Sequence, residues 1–222
     1  MGVTKSPAPQ LPPQVREAVL AALGGEATGD EFAWMSWAGT TWRLARGDSA
    51  VFVKRAKHLE DERARLVWLA GRWPVPELLG HFHAWNDDWL LTRAVAGTPL
   101  HDAALGWPPE RVARIFGEIL RGLHATDARE CPFGVRKPGN VLVHGDYCLP
   151  NVLVTAGRLT GLVDVGGSGL GNPETDLAAG LWTLQYNFGR GFGGVFLEAY
   201  GWPPVSDEAM ERLRRRYSTK SR

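Results

Sequence analysis

The 222-residue chain predicts an α+β fold, β-rich in its first part and mainly helical in its second. Three observations carry this. Aromatic and β-branched runs, separated by turn residues, fill residues 31–94. After Gly97, apolar residues recur at helical spacing. Between Val141 and Asp164 lies VLVHGDYCLPNVLVTAGRLTGLVD, which reads as short strands with reactive residue types at their ends.

The length admits one large domain or two small lobes: a disordered leader over residues 1–13, an N-lobe over 14–96 and a C-lobe over 97–222. Hydrophobic residues at 44% and charged residues at 22% are ordinary for a globular chain with a real core. A formal charge of +1 gives no nucleic-acid or membrane signal, so neither partner is expected. No apolar run reaches the length of a membrane span. Two cysteines, Cys131 and Cys148, make no disulfide framework, and a reduced, cytoplasmic setting follows.

In chain order, Pro7, Pro9, Pro12 and Pro13 mark the leader, and Gln14 to Leu23 has helical spacing ended by Gly24-Gly25. Glu31 to Trp37 and Thr40 to Ala45 read as strands joined by Ala38-Gly39. The small residues Ser36, Gly39 and Thr40 suit a loop whose N–H groups approach a phosphate, and they suit a plain hairpin equally well. Ala50 to Lys54 is a buried strand ending in a lysine. Leu59 to Leu69 is a helix with an acidic first turn. Leu78 to Ala84 and Trp89 to Ala94 form a hairpin around Asn86-Asp87-Asp88. His81 and His83 alternate on one face without further ligand-spaced residues, and are read as surface strand residues.

Pro108-Pro109-Glu110 opens a helix whose core face is Val112, Ile115, Phe116, Ile119, Leu120 and Leu123. In the central segment, the turn Ala156-Gly157-Arg158 folds two strands together, which brings Asn151 and Asp164 to one end with Asp146 in the loop above. Two carboxylates and a carboxamide are hard oxygen ligands that suit magnesium carrying a polyphosphate. Cys148 is read as a small packed residue. Further helices are expected over Glu174–Asn187, Phe192–Tyr200 and Ser206–Tyr217.

HGDYCLPN followed by LVDVGGSGLGNPETDLA resembles the aminoglycoside O-phosphotransferases, most closely the 3′-hydroxyl class. That resemblance implies a bilobal protein-kinase-like fold, with a β-rich N-lobe and a mainly helical C-lobe. It implies ATP as phosphate donor, Mg2+ as cofactor and a small hydroxylated acceptor, most readily an aminoglycoside. The five-residue step from Asp146 to Asn151 is that of a kinase catalytic loop, and Asp164-Val165-Gly166 has the outline of D-F-G with its aromatic replaced. Asp146 is then the catalytic base, Asn151 and Asp164 the metal ligands, and Lys54 the phosphate anchor paired with Glu62, or failing that Glu60. Adenine is expected on backbone groups around Arg93 to Val95. His144 and Asp176 are expected to support the catalytic loop.

The resemblance stops at two places. Gly134-Val135-Arg136-Lys137-Pro138-Gly139 stands where the family carries an acid-rich insertion, and the tail from Arg212 to Arg222 is basic where the family's is acidic. Both departures leave open a kinase of another hydroxylated metabolite, or a nucleotide-binding relative with little transferase activity.

Overall fold

The computed structural model describes residues 10–27, 32–36, 39–135 and 138–218. The chain divides into two compact units: residues 1–70 with 76–95, and residues 71–75 with 96–222.

The first unit is a five-stranded antiparallel sheet in the order β1-β2-β3-β5-β4, with two helices. Its strands are β1 (Phe32–Ser36), β2 (Gly39–Arg46), β3 (Ser49–Ala56), β4 (Leu78–Ala84) and β5 (Asp87–Arg93), and its helices are α1 (Pro13–Leu23) and α2 (Glu60–Leu69). Alternation along β2 and β3 sends Trp42, Leu44, Val51 and Val53 to one face. There they bury Val15, Val19 and Leu23 of α1 together with Leu11. Leu11 is thus a core residue and Pro13 the first residue of α1, while residues 1–9 of the expected leader lie outside the described residues. Trp42 stacks on Trp89 of β5 with centroids 5.7 Å apart, and Arg55 lies over both rings.

The β4–β5 turn is shorter than the sequence suggests. Trp85 and Asn86 both take positive φ, 54° and 63°, which closes a two-residue hairpin of the type whose twist matches its strands. Asp87 and Asp88 are thereby freed to pair with Ala84 and with His83 and Ala56, so they belong to β5 and not to the turn.

The second unit begins with a piece of chain placed earlier in sequence. The Leu162 N–H donates to Pro74 O at 2.8 Å, and the Trp73 indole donates to Thr126 Oγ1 at 2.9 Å, which ties residues 71–75 to this unit. It holds two small antiparallel sheets. One pairs β7 (Val141–Val143) with β10 (Gly169–Gly171), and the other orders β6 (Thr98–Pro99), β8 (Val152–Thr155) and β9 (Arg158–Leu162) as β6-β8-β9. Four helices complete it: α3 (Pro109–His124), α4 (Glu174–Phe188), α5 (Gly193–Tyr200) and α6 (Asp207–Ser218). On α3, Val112, Phe116, Leu120 and Leu123 are buried as the periodicity predicts, while Ile115 and Ile119 are half-buried. No helix among the described residues is long and apolar enough to cross a membrane.

Candidate active site

The segment from β7 to β10 is a set of short strands whose ends converge. Val143 delivers the chain to His144-Gly145-Asp146, where Gly145 takes φ +87°. A side chain there would sit 2.2 Å from Gly167 O, so only glycine admits both the turn and the close approach of the returning chain. Tyr147 follows as a fully buried plug. It stacks on Phe116 of α3 at 4.3 Å and donates its hydroxyl to Phe116 O at 2.9 Å.

Asp176, in the first turn of α4, fastens the same loop. Its carboxylate is fully buried and accepts from the N–H groups of His144 at 2.6 Å and Gly145 at 2.9 Å. It also accepts from His124 Nε2 at 3.1 Å, while His124 Nδ1 meets the Tyr200 hydroxyl at 2.9 Å. The His144 ring bridges the two halves of the segment: Nδ1 accepts from the Asp146 N–H at 3.3 Å and Nε2 faces Val163 O at 3.0 Å. Both contacts are satisfied when the ring proton is on Nε2. Ser168 Oγ donates to His144 O at 3.1 Å.

The three candidate reactive residues sit around this frame. The Val163 N–H donates to Asn151 O at 3.0 Å, so the end of β9 and the start of β8 are locked side by side, just ahead of Asp164. Asn151 turns its carboxamide nitrogen toward Asp146, 2.9 Å from the backbone oxygen and 3.4 Å from Oδ2. Its carboxamide oxygen is left as the group available to a cation. Asp164 is held at φ 57°, ψ 47°, a left-handed conformation that costs a non-glycine residue roughly 1–2 kcal/mol. Strain of this kind is tolerated where the neighbouring structure dictates a side chain's direction.

No cluster of three or more His, Cys, Asp or Glu that could hold a metal exists among the described residues. The donor set is instead one carboxylate and one carboxamide oxygen. That fits magnesium, which keeps several waters and takes one or two protein oxygens beside substrate phosphates. His83 is paired with Asp88 at 2.8 Å, and His81 lies 3.6 Å from Glu60.

In the first unit, Lys54 Nζ meets Glu62 Oε2 at 2.6 Å, with side-chain exposures of 23% and 13%. Glu60 is engaged by Arg63, whose Nε lies 2.8 Å from its Oε2, and that hydrogen bond holds the Glu60 carboxyl below its usual range. Lys54 therefore pairs with Glu62. Gly39 sits opposite Ser36 where β1 and β2 meet, and a Cβ there would lie 1.9 Å from Arg55 O. The side chain of Ser36, and Trp37 and Ala38, lie outside the described residues. Thr40 is buried at 3% exposure, which leaves it no open side-chain surface for a phosphate. At the end of β5 the N–H groups of Arg93 and Ala94 are taken by Glu77 O and Ala50 O, and the Arg93 guanidinium pairs with Glu77. Val95 follows them directly.

Two contacts of Asp146 have no sequence signal. Cys148 Sγ lies 3.4 Å from its Oδ1, and burial first, then the Asp146 charge, pushes that thiol's pKa far up. The Tyr217 hydroxyl donates to the same Oδ1 at 2.6 Å from the last turn of α6. Around α6, two acids are engaged by the chain's own arginines. Glu211 takes Arg214 and Arg215, each at 2.7–2.8 Å, and Glu174 takes Arg216. Arg136 and Lys137, and the tail beyond Ser218, lie outside the described residues.

The model of the phosphotransferase enzyme family matches residues 20–140 and 134–215. The match breaks into two pieces at the Gly134–Gly139 bridge. An aminoglycoside 3′-phosphotransferase of Niallia circulans is 26% identical over 194 residues, covering 68% of this chain and 74% of the relative. One of Streptomyces ribosidificus is 29% identical over 244 residues, covering 77% and 92%. An alignment of that span exceeds this whole chain, so the relative carries an internal segment that is missing here. The crystal structure of a type VIII aminoglycoside-3′-phosphotransferase superposes with a TM-score of 0.71 at 28% identity, covering 90% of this chain and 98% of that one. A Streptomyces rimosus aminoglycoside phosphotransferase solved with ADP and streptomycin gives 0.68 at 22% identity, covering 90% and 95%. These likenesses define the bilobal, kinase-like fold of both units.

Proposed function

We propose, from the premise that this chain belongs to the phosphotransferase enzyme family, that it transfers the γ-phosphoryl group of ATP to a hydroxyl of an aminoglycoside of the 3′ kind. The observation that carries the reading is the joined pair Asp146–Asn151, locked to Val163 just ahead of Asp164 and braced by Asp176.

In this reading Asp146 orients the acceptor hydroxyl and takes its proton. Asn151, through its carboxamide oxygen, and Asp164 would hold Mg2+, which supplies charge neutralisation on the transferring phosphoryl group. Lys54, fixed by Glu62, binds the α- and β-phosphates. Gly39 and the backbone of Ser36 and Thr40 cover phosphate, and adenine uses the edge of Arg93–Val95. The Arg93 and Ala94 N–H groups are already bonded to Glu77 O and Ala50 O, which supports the Val95 N–H as the donor to adenine in this reading. His144 and Asp176 keep the loop in register. The free thiols Cys131 and Cys148 fit a reducing cytoplasm.

One observation favours a second acceptor class. Glu174 on α4 and Glu211 on α6, two acids that could meet drug amines, are bound to the chain's own arginines. A hydroxylated metabolite with less positive charge would suit such a surface better. ATP consumption measured against a panel of aminoglycosides and neutral hydroxylated metabolites, with product mass reporting phosphate addition, decides between them. Absence of acceptor-dependent ADP across the panel refutes the transferase reading.

A further inference from the structure

Tyr217 stands 71 residues from Asp146 in sequence, yet its phenol lies 2.6 Å from Oδ1 of that carboxylate. A general base must come within roughly 2.6–3.2 Å of the hydroxyl whose proton it takes. The chain therefore presents a hydroxyl of its own where an acceptor hydroxyl belongs. Several contacts hold it there. Its ring lies against Trp182 with centroids 5.2 Å apart, the adjoining Arg216 is paired with Glu174, and Cys148 Sγ lies 3.5 Å from the phenol oxygen. Burial foremost, with Cys148 and Asp146 adding to it, raises the phenol's pKa well above its ordinary value, so the group keeps its proton as an alcohol does.

We propose that Tyr217 is itself a phosphoryl acceptor, modified in cis by the chain's own active site when no small acceptor is supplied. This rests on the transferase reading with Asp146 as base. A bond forms between Tyr217 Oη and the γ-phosphorus of ATP, while the bond from that phosphorus to the β,γ-bridging oxygen breaks. ADP leaves with that electron pair, and the phenolic proton passes to Asp146. The product is a dianion beside a carboxylate and at the negative end of the α6 dipole. Both repel it, so the last turn of α6 detaches from Trp182 and Asp146. Modification stops after one phosphoryl group and opens the base to outside acceptors.

The test incubates the full chain with ATP and magnesium, without acceptor, and reads the intact mass and the modified peptide. A parallel arm adds kanamycin. The expected result is one phosphoryl group per chain, on Tyr217, at a rate unchanged over a tenfold range of protein concentration. Tyr217→Phe, which keeps the ring on Trp182, then takes up none, and Asp146→Asn loses transfer in both arms. Trypsin cuts the modified chain faster in the Arg214–Arg216 stretch than the unmodified chain, a readout of the detached last turn of α6. An unmodified chain that still phosphorylates kanamycin, or any other acceptor of the panel, overturns the Tyr217 proposal and leaves the transferase reading intact, whereas no transfer to Tyr217 or to any acceptor of the panel sinks both. Phosphate on Ser218, Thr219 or Ser221, or a rate that grows with protein concentration, also overturns it. Peptide localisation in the unaltered chain decides the matter even where Tyr217→Phe fails to fold.

Discussion

Asp176 reaches back from α4 to the N–H of His144, 32 residues earlier, and bonds it at 2.6 Å inside a fully buried pocket. With Gly145 N–H and His124 Nε2 on the same carboxylate, three donors lean on one side chain. Asp176→Ala strands all of them away from water, at about 1–3 kcal/mol for each unsatisfied group. The variant is expected to lose at least about 3 kcal/mol, seen as a lower urea midpoint at unchanged slope. A loss under about 1 kcal/mol would mean that water replaces the carboxylate and that the loop stands by itself.

Asp146→Asn keeps the size of the side chain and removes its charge. Transfer is expected to fall by roughly two to four orders of magnitude, while nucleotide affinity measured by calorimetry stays within about threefold. Collapse of nucleotide binding would make Asp146 a structural residue.

Glu62→Gln removes the negative charge that meets Lys54 at 2.6 Å. The Michaelis constant for ATP is expected to rise about tenfold, worth about 1.4 kcal/mol of lost positioning. Glu60→Gln, whose partner is Arg63, is the control and should leave that constant unchanged.

The alkaline limb of stability follows from groups kept neutral by burial. Cys148, Tyr147 and Tyr217 have pKa values raised above their ordinary 9.0, 10.0 and 10.0, by desolvation first in each case. The folded chain therefore holds protons that the unfolded chain releases. Stability is present in full below about pH 9 and declines as pH rises through 9 and 10 toward the folded-state values. Thermal unfolding followed across this range should show a falling midpoint, and a flat profile to pH 11 would contradict the burial of all three.

The basic end of α6 bears on acceptor recognition. Glu174 is held by Arg216, so Arg216→Ala should release an acid toward amines and lower the Michaelis constant for kanamycin-like and neomycin-like acceptors by a few-fold, within the range of an exposed pair. In the unaltered chain that constant is expected to lie well above micromolar. Steady-state kinetics on both acceptors checks each statement, and tight binding by the unaltered chain would show that carboxylates elsewhere meet the drug.

Much of the reactive segment was legible because its logic is local. Strand residues, turn residues and three acids or amides within 19 positions suffice to infer that Asn151 and Asp164 share a strand end. The same is true of Lys54 and the acidic first turn of α2, where Glu62 is the expected partner and Arg63 occupies the fallback, Glu60. Residues 71–75 group with the second unit through ties to Leu162 and Thr126, 88 and 53 positions away, which no local pattern announces. The start of β5 was missed because a tryptophan at positive φ runs against its steric preference, and here Trp85 also lays its ring edge on Trp89 at 5.8 Å. Tyr217 was invisible for a related reason: no pattern in a basic helix announces which of its residues will meet a loop 71 positions away.

The short bridge before β7 has one more consequence. Its near end is stapled to β10, where Val135 N–H donates to Leu170 O, and at its far end Gly139 lies so close to Gly171 that a Cβ would come within 2.0 Å of that carbonyl. Both ends of the gap are thus anchored on one strand, independently of what spans them. Such a junction suits a graft: a segment inserted between residues 135 and 138 would enter and leave at fixed positions.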